Sequence, residues 1–97
     1  MYIIRNVFQT KPGKAKELVR LFKESSRYMQ GDGIGKTRLL TDVSANFWTV
    51  ILEMEVRNLA TYEQMADYST RPEVREIMKD YMTLVEGGYR EIFKVEE

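Results

Sequence analysis

The sequence predicts an α+β fold, a four-stranded antiparallel sheet with two helices on one of its faces. Three observations lead there. Apolar and polar residues alternate through 47–56, and β-branched and aromatic residues crowd Tyr2 to Gln9, as strands require. Apolar residues recur at spacings of three, four and seven from Ala15 to Met29 and again from Val74 to Val85, as amphipathic helices require. Turn residues cut the chain at Pro12-Gly13, Gly31-Asp32-Gly33 and Gly87-Gly88, which leaves the order strand, helix, strand, strand, helix, strand.

The first strand, Tyr2-Ile3-Ile4-Arg5-Asn6-Val7-Phe8-Gln9, stops at Thr10-Lys11-Pro12-Gly13. A helix over about residues 12–30 follows, with Pro12 in its first turn, where a missing N–H costs nothing. Its apolar stripe is Ala15, Leu18, Val19, Phe22 and Met29, and Gly31 closes it in a left-handed conformation. Strands at Ile34 to Asp42 and Phe47 to Val56 flank the loop Val43-Ser44-Ala45-Asn46. In the second of these, Trp48, Val50, Leu52, Met54 and Val56 share one face, and Phe47, Thr49, Ile51, Glu53 and Glu55 the other. If Asp42 pairs with Phe47, Lys36 lies opposite Glu53.

Asn58 caps a second helix beginning at Leu59, which Ser69 to Glu73 interrupts. There Pro72 disfavours helix at Arg71, while Thr70 and Glu73 have the spacing of a capping box for a new start. The helix then runs to Gly87-Gly88, and Tyr89 to Val95 forms the last strand. No repeat or linker divides the chain, so residues 1–97 are expected to form a single domain.

Right-handed crossovers and short connections turn this order into the ferredoxin-like βαββαβ arrangement. Its first strand is apolar on both faces: Tyr2, Ile4 and Phe8 on one, Ile3 and Val7 on the other. The helices cover only one of them. Nothing else in the sequence covers the second, so a second copy of the chain is expected to do so, giving a homodimer.

Composition narrows the function classes. Fifteen Lys plus Arg balance fifteen Asp plus Glu, so neither a nucleic-acid partner nor a polybasic membrane contact is expected. No apolar run is long enough to span a bilayer, and residues 1–8 lack the pattern of a signal peptide, so a cytoplasmic location is expected. There is no Cys and no His, which removes thiolate chemistry, the commonest general base and the usual metal and haem ligand. Glu53 and Glu55 share a strand face, but Lys36 and Arg5 or Arg57 are at hand to neutralise them. Gly31-x-Gly33-x-Gly35 stands between a helix and a strand, the wrong context for a phosphate loop. The strand 47–53 lacks the glycine and basic start of an RNA-reading strand.

The segment Asn6-Val7-Phe8-Gln9-Thr10-Lys11-Pro12-Gly13-Lys14-Ala15-Lys16-Glu17-Leu18 resembles the first strand and helix start of the dimeric α+β barrel superfamily, as Glu53 to Glu63 resembles its strand-to-helix passage. That superfamily includes antibiotic-biosynthesis monooxygenases, haem-degrading enzymes and NIPSNAP-like proteins. The resemblance implies a cofactor-independent, monooxygenase-like protein acting on a small aromatic or polyketide-like molecule between sheet and helices. Its alternative is a non-catalytic member that binds a small hydrophobic ligand or only oligomerises. Asn6 is the residue the resemblance assigns a catalytic role: an uncharged amide with donors and an acceptor for an enolate or for oxygen. Arg38, Tyr62 and Tyr68 are the expected substrate-binding residues, and Trp48 is expected to pack under the helices. The haem branch requires a His near Tyr62 to Tyr68, where this chain has none, so no cofactor is expected.

Overall fold

The computed structural model describes residues 1–28 and 34–97. Among them, strands β1 (Tyr2–Thr10), β2 (Ile34–Thr41), β3 (Thr49–Val56) and β4 (Val85–Lys94) form one antiparallel sheet in the order β2-β3-β1-β4. Helices α1 (Ala15–Ser25), α2 (Leu59–Gln64) and α3 (Pro72–Ile77) cover one face of it. The predicted α+β, ferredoxin-like class is the observed one.

Cross-strand partners point to the same side of a sheet. Ile4 pairs with Met54, and Phe8 with Val50, so the even-numbered residues of both central strands share the helix side. Ile4, Val50, Leu52, Met54 and Val56 are buried there against Leu18, Leu21 and Phe22 of α1 and against Leu84. The rings of Phe8 and Phe22 meet at 5.1 Å and 41°. At about 25 cal/mol per Å² of apolar surface removed from water, such burial dominates what holds helix to sheet.

The molecule is only 17 Å across its shortest axis, one sheet and one layer of helices thick. The other face of the sheet is therefore left uncovered by the described residues. It carries Ile3, Val7, Leu40, Ile51, Tyr89 and Phe93, with Tyr89 63% and Phe93 47% exposed. In their midst the Glu53 carboxylate lies between Arg5 Nε at 3.3 Å and Arg38 Nε at 2.5 Å.

Several boundaries differ from expectation, each for a local reason. Pro12 lies outside α1. Lys14 N–H bonds the Lys11 carbonyl at 3.0 Å and Gly13 takes φ +78°, so Lys11 to Lys14 is a turn with Pro second and Gly third. The α-helical hydrogen bonding then stops at Ser25, followed by a 3₁₀ turn at Ser26–Tyr28; the expected closure at Gly31-Asp32-Gly33, with Met29 in the stripe, lies outside the described residues. The buried stripe of α1 includes Leu21 and Ser25 beside Leu18 and Phe22.

The β2–β3 loop is longer than Val43 to Asn46. Phe47 and Trp48 adopt φ +44° and +57°, a left-handed conformation that cannot continue a strand, so β3 begins at Thr49. Asp42 Oδ1 accepts the Thr49 N–H at 2.9 Å and closes the loop. The register therefore sets Arg38, not Lys36, opposite Glu53. This two-residue slip leaves the facing of β2 unchanged there, because side chains alternate with period two.

After Asn58, whose Oδ1 accepts the Thr61 N–H at 2.8 Å, α2 passes into a 3₁₀ segment at Met65–Thr70. The new start has Arg71 as its N-cap and Pro72 in its first turn, in place of the expected Thr70 capping box. The helix expected to reach Gly87 ends at Ile77. A 3₁₀ turn at Tyr81–Thr83 then leads directly into β4, which takes in Val85 and both glycines. Gly88 is required where it stands: a Cβ there would come within 2.5 Å of the Val7 carbonyl oxygen.

Candidate functional site

Asn6 lies in the middle of β1, with Arg90 of β4 as its direct cross-strand partner, so both side chains rise on the helix side. The capped start of α2 brings Tyr62 above them one turn after Asn58. The Arg90 guanidinium joins the three residues. Its Nε donates to Asn6 Oδ1 at 2.5 Å, its Nη1 donates to the Tyr62 hydroxyl, and its Cζ stands 5.5 Å from the centre of the Tyr62 ring. A hydrogen bond from a charged donor is about twice as strong as a neutral one, and the ring face adds a cation–π contact. Asn6 and Tyr62 are half-buried while Arg90 is exposed, so the positive charge is accessible to a ligand from solvent.

Beside this cluster, between sheet and helices, is an open cavity of about 520 Å³. Phe8, Phe22, Leu52 and Met78 give it an apolar wall, and Ser25, Tyr68 and Tyr81 with the Arg75 and Lys79 cations give it a polar one. It adjoins Asn6 through Leu52, the partner of Asn6 across the β1–β3 ladder, and Phe8, two residues along β1 on the same face. Burial pushes the Tyr68 phenol above its ordinary range, an effect the hydrogen bond with Ser25 opposes only in part. Tyr68 is thus a neutral hydroxyl at physiological pH.

Of the four residues singled out in the sequence, Asn6 and Tyr62 come together. Tyr68 lines the adjoining cavity. Arg38 projects from the opposite face of the sheet, where it pairs with Glu53. Trp48 lies at the far end of β3, 43% exposed instead of packed under the helices. Arg90 escaped the sequence reading. Its only signal is positional: it shares the facing of Asn6 once the β1–β4 register is known.

No protein-family model and no curated protein matches the sequence. Solved structures do match the fold. A NIPSNAP-like domain protein from Burkholderia xenovorans superposes with TM-score 0.83 over 99% of this chain and 85% of its own, at 14% identity. A candidate antibiotic biosynthesis monooxygenase from Deinococcus radiodurans gives TM-score 0.73 over 100% of this chain and 94% of its own, at 18% identity. The chain shares the ferredoxin-like α+β fold of these structures. A third structure with this fold, a variant of MhuD with two manganese protoporphyrin IX molecules bound per active site, gives TM-score 0.77 over 100% of this chain and 96% of its own, at 14% identity.

The residues present here do not suit a haem. The full sequence offers no His and no Cys as an axial ligand. A Tyr ligates iron as its phenolate; of the two tyrosines singled out in the sequence, burial disfavours that form of Tyr68, and the Tyr62 oxygen already accepts from Arg90. Among the described residues no group of three or more acidic, His or Cys side chains could hold a metal ion, and no helix is long and apolar enough to cross a membrane.

Proposed function

We propose that the chain is a cofactor-independent, monooxygenase-like enzyme acting on a small phenolic or polyketide-like aromatic on the helix side of the sheet. The observation that carries this reading is the Arg90 guanidinium shared by the Asn6 amide and the Tyr62 hydroxyl. A fixed cation with two neutral hydrogen-bonding groups beside an apolar cavity suits a substrate that ionises to an enolate or phenolate. Such an anion is electron-rich enough to give an electron to dioxygen. Recombination then forms a hydroperoxide at the ring carbon, and loss of water leaves a carbonyl. The overall step is R₂CH₂ + O₂ → R₂C=O + H₂O: one oxygen atom enters the product, and both hydrogens leave in water.

In this scheme Arg90 holds the anionic oxygen and Asn6 orients the reacting carbon and oxygen. Tyr62 hands a proton to the departing hydroxide, and the cavity with Tyr68 holds the ring away from water. Arg38 belongs to the other face and is left out of this site. The proposed assembly is a homodimer in which a second copy covers the face bearing Val7, Ile51, Tyr89 and Phe93.

The test is oxygen uptake with a set of naphthols and tricyclic ketone–phenol tautomers, with chelator present. One oxygen consumed per carbonyl formed is expected, and a loss of about a hundredfold or more in Arg90→Gln. Uptake that is unaltered in that variant would refute the scheme. Binding without turnover is the second reading, favoured by the mainly apolar wall of the 520 Å³ cavity and by the absence of Asn6 from its lining. Saturable naphthol binding with no oxygen uptake would select it.

A further inference from the structure

A second cavity, of about 570 Å³, lies between α1 and the β2–β3 loop. We infer that it is a binding site for a planar aromatic ring carrying one anionic group, with the ring against Trp48 and the anion on Lys16 and Lys23. It is separate in position and residues from the Asn6–Tyr62–Arg90 cluster and does not rest on the function proposed for that cluster.

The floor of the cavity is apolar. Ala15 and Val19 face it from α1, and the Trp48 indole, 43% exposed, faces it from the loop. One rim is cationic. Lys16, Arg20 and Lys23 follow at intervals of four and three along α1, which lines them up on one stripe of the helix. Arg20 is committed to Glu24 at 3.0 Å, but neither Lys16 nor Lys23 has an ion-pair partner among the described residues. Among the described residues of the lining Asp42 is the only carboxylate, set against Lys16, Arg20 and Lys23, so positive charge prevails there.

The loop is also held against its own preference. Phe47 and Trp48 are consecutive aromatic residues with φ of +44° and +57°, a conformation that crowds the Cβ of any non-glycine residue against its own backbone. It persists because β1 grips it from outside. Gln9 Nε2 donates to the Asn46 carbonyl at 2.7 Å and also to that of Phe47, while the Thr10 N–H and hydroxyl reach the Trp48 carbonyl at 2.9 and 3.1 Å. The outcome of this bracing is an indole fixed over a basic helix face with much of its surface open. Rigid aromatic surface beside unpaired cations is what an aryl anion needs: stacking for the ring, charge-assisted hydrogen bonds for the head group.

Trp48 is the only tryptophan in the chain, so its fluorescence reports this cavity directly. The experiment is titration with phenyl phosphate, with inorganic phosphate and benzyl alcohol as the anion alone and the ring alone. A saturable change is expected with phenyl phosphate and neither control. The doubly reversed K16E/K23E variant, whose substitutions fall on exposed side chains, is expected to bind at least about tenfold more weakly. Asn6→Ala is expected to bind as the unaltered protein does, which separates this site from the other. No saturable change up to about 10 mM, a range that would still report affinities weaker than millimolar, overturns the proposal. So does equal affinity in K16E/K23E with an unchanged melting curve.

Discussion

Arg90 and Asn6 face each other across the β1–β4 ladder, 84 residues apart in the chain, and the guanidinium Nε donates to the Asn6 amide oxygen at 2.5 Å. Because Arg90 is exposed, this contact contributes little to folding and much to local geometry. Replacing Arg90 with Ala should lower stability in urea by less than about 1 kcal/mol, because a solvated cation is lost and little core. The same change should remove most of the oxygen uptake proposed above. A large loss of stability would instead make Arg90 a structural strut.

Gly88 should not tolerate a side chain. A methyl group there would press on the Val7 carbonyl at 2.5 Å, whereas at Gly87 it would meet nothing within 4 Å. Gly88→Ala is expected to cost about 1–3 kcal/mol and Gly87→Ala to stay within about 0.5 kcal/mol. Paired urea titrations of the two variants measure the contrast.

Phe47 is 79% exposed and left-handed, so it contributes little packing at a conformational cost. Phe47→Asn should raise stability by about 0.5–1 kcal/mol, since Asn tolerates this region of backbone space better than a bulky aromatic. An upward shift in Tm is the expected reading. A fall would mean that the Phe47 ring makes a contact outside this chain.

Tyr68 binds its proton more tightly folded than unfolded, because burial disfavours the phenolate. A group of this kind supports the fold fully below its unfolded pKa. That support is lost as pH rises through the folded value, here above about pH 10. The unfolding free energy should therefore fall on the alkaline side, and Tyr68→Phe should flatten that limb. Ultraviolet titration should show one late-ionising tyrosine, absent from the variant.

The uncovered sheet face makes its own prediction. Tyr89 and Phe93 stand exposed on it beside Val7 and Ile51. Phe93→Asp places a charge in the proposed dimer interface without touching the helix-side core. Native mass spectrometry should find the unaltered protein as a dimer and the variant shifted to monomer. A monomer in both cases would remove the second copy from the scheme.

The architecture was legible because it rests on periodicity. Trp48 to Val56 alternates so regularly that the facing of β3 follows from it, and Leu18 with Phe22 marks the buried side of α1. Boundaries were less legible wherever composition and backbone disagree. Phe47 and Trp48 have strand-like side chains but left-handed torsions imposed by Gln9 and Thr10 from another strand. Val85 to Gly88 reads as the end of a helix, yet pairing with β1 makes it strand. Asn6 was singled out through resemblance and Tyr62 as a suitable residue type, and the fold brings the two together on Arg90. Arg90 was not legible, since the register that joins it to Asn6 is a property of two distant segments. Arg38 stands apart from them for the complementary reason: its side chain is suitable, but the β2–β3 register sets it opposite Glu53 on the other sheet face.

The strand order has a consequence for how the molecule is made. β1 leaves the ribosome before β3 and β4, and pairs with β3 on one edge and β4 on the other. Between completion of β3 and emergence of β4, on the order of several seconds at ordinary synthesis speed, the nascent chain presents an unpaired inner edge on β1. That edge carries Asn6. Until β4 emerges the growing chain has the amide and lacks the guanidinium, and the arrival of β4 both covers that inner edge and supplies the charge.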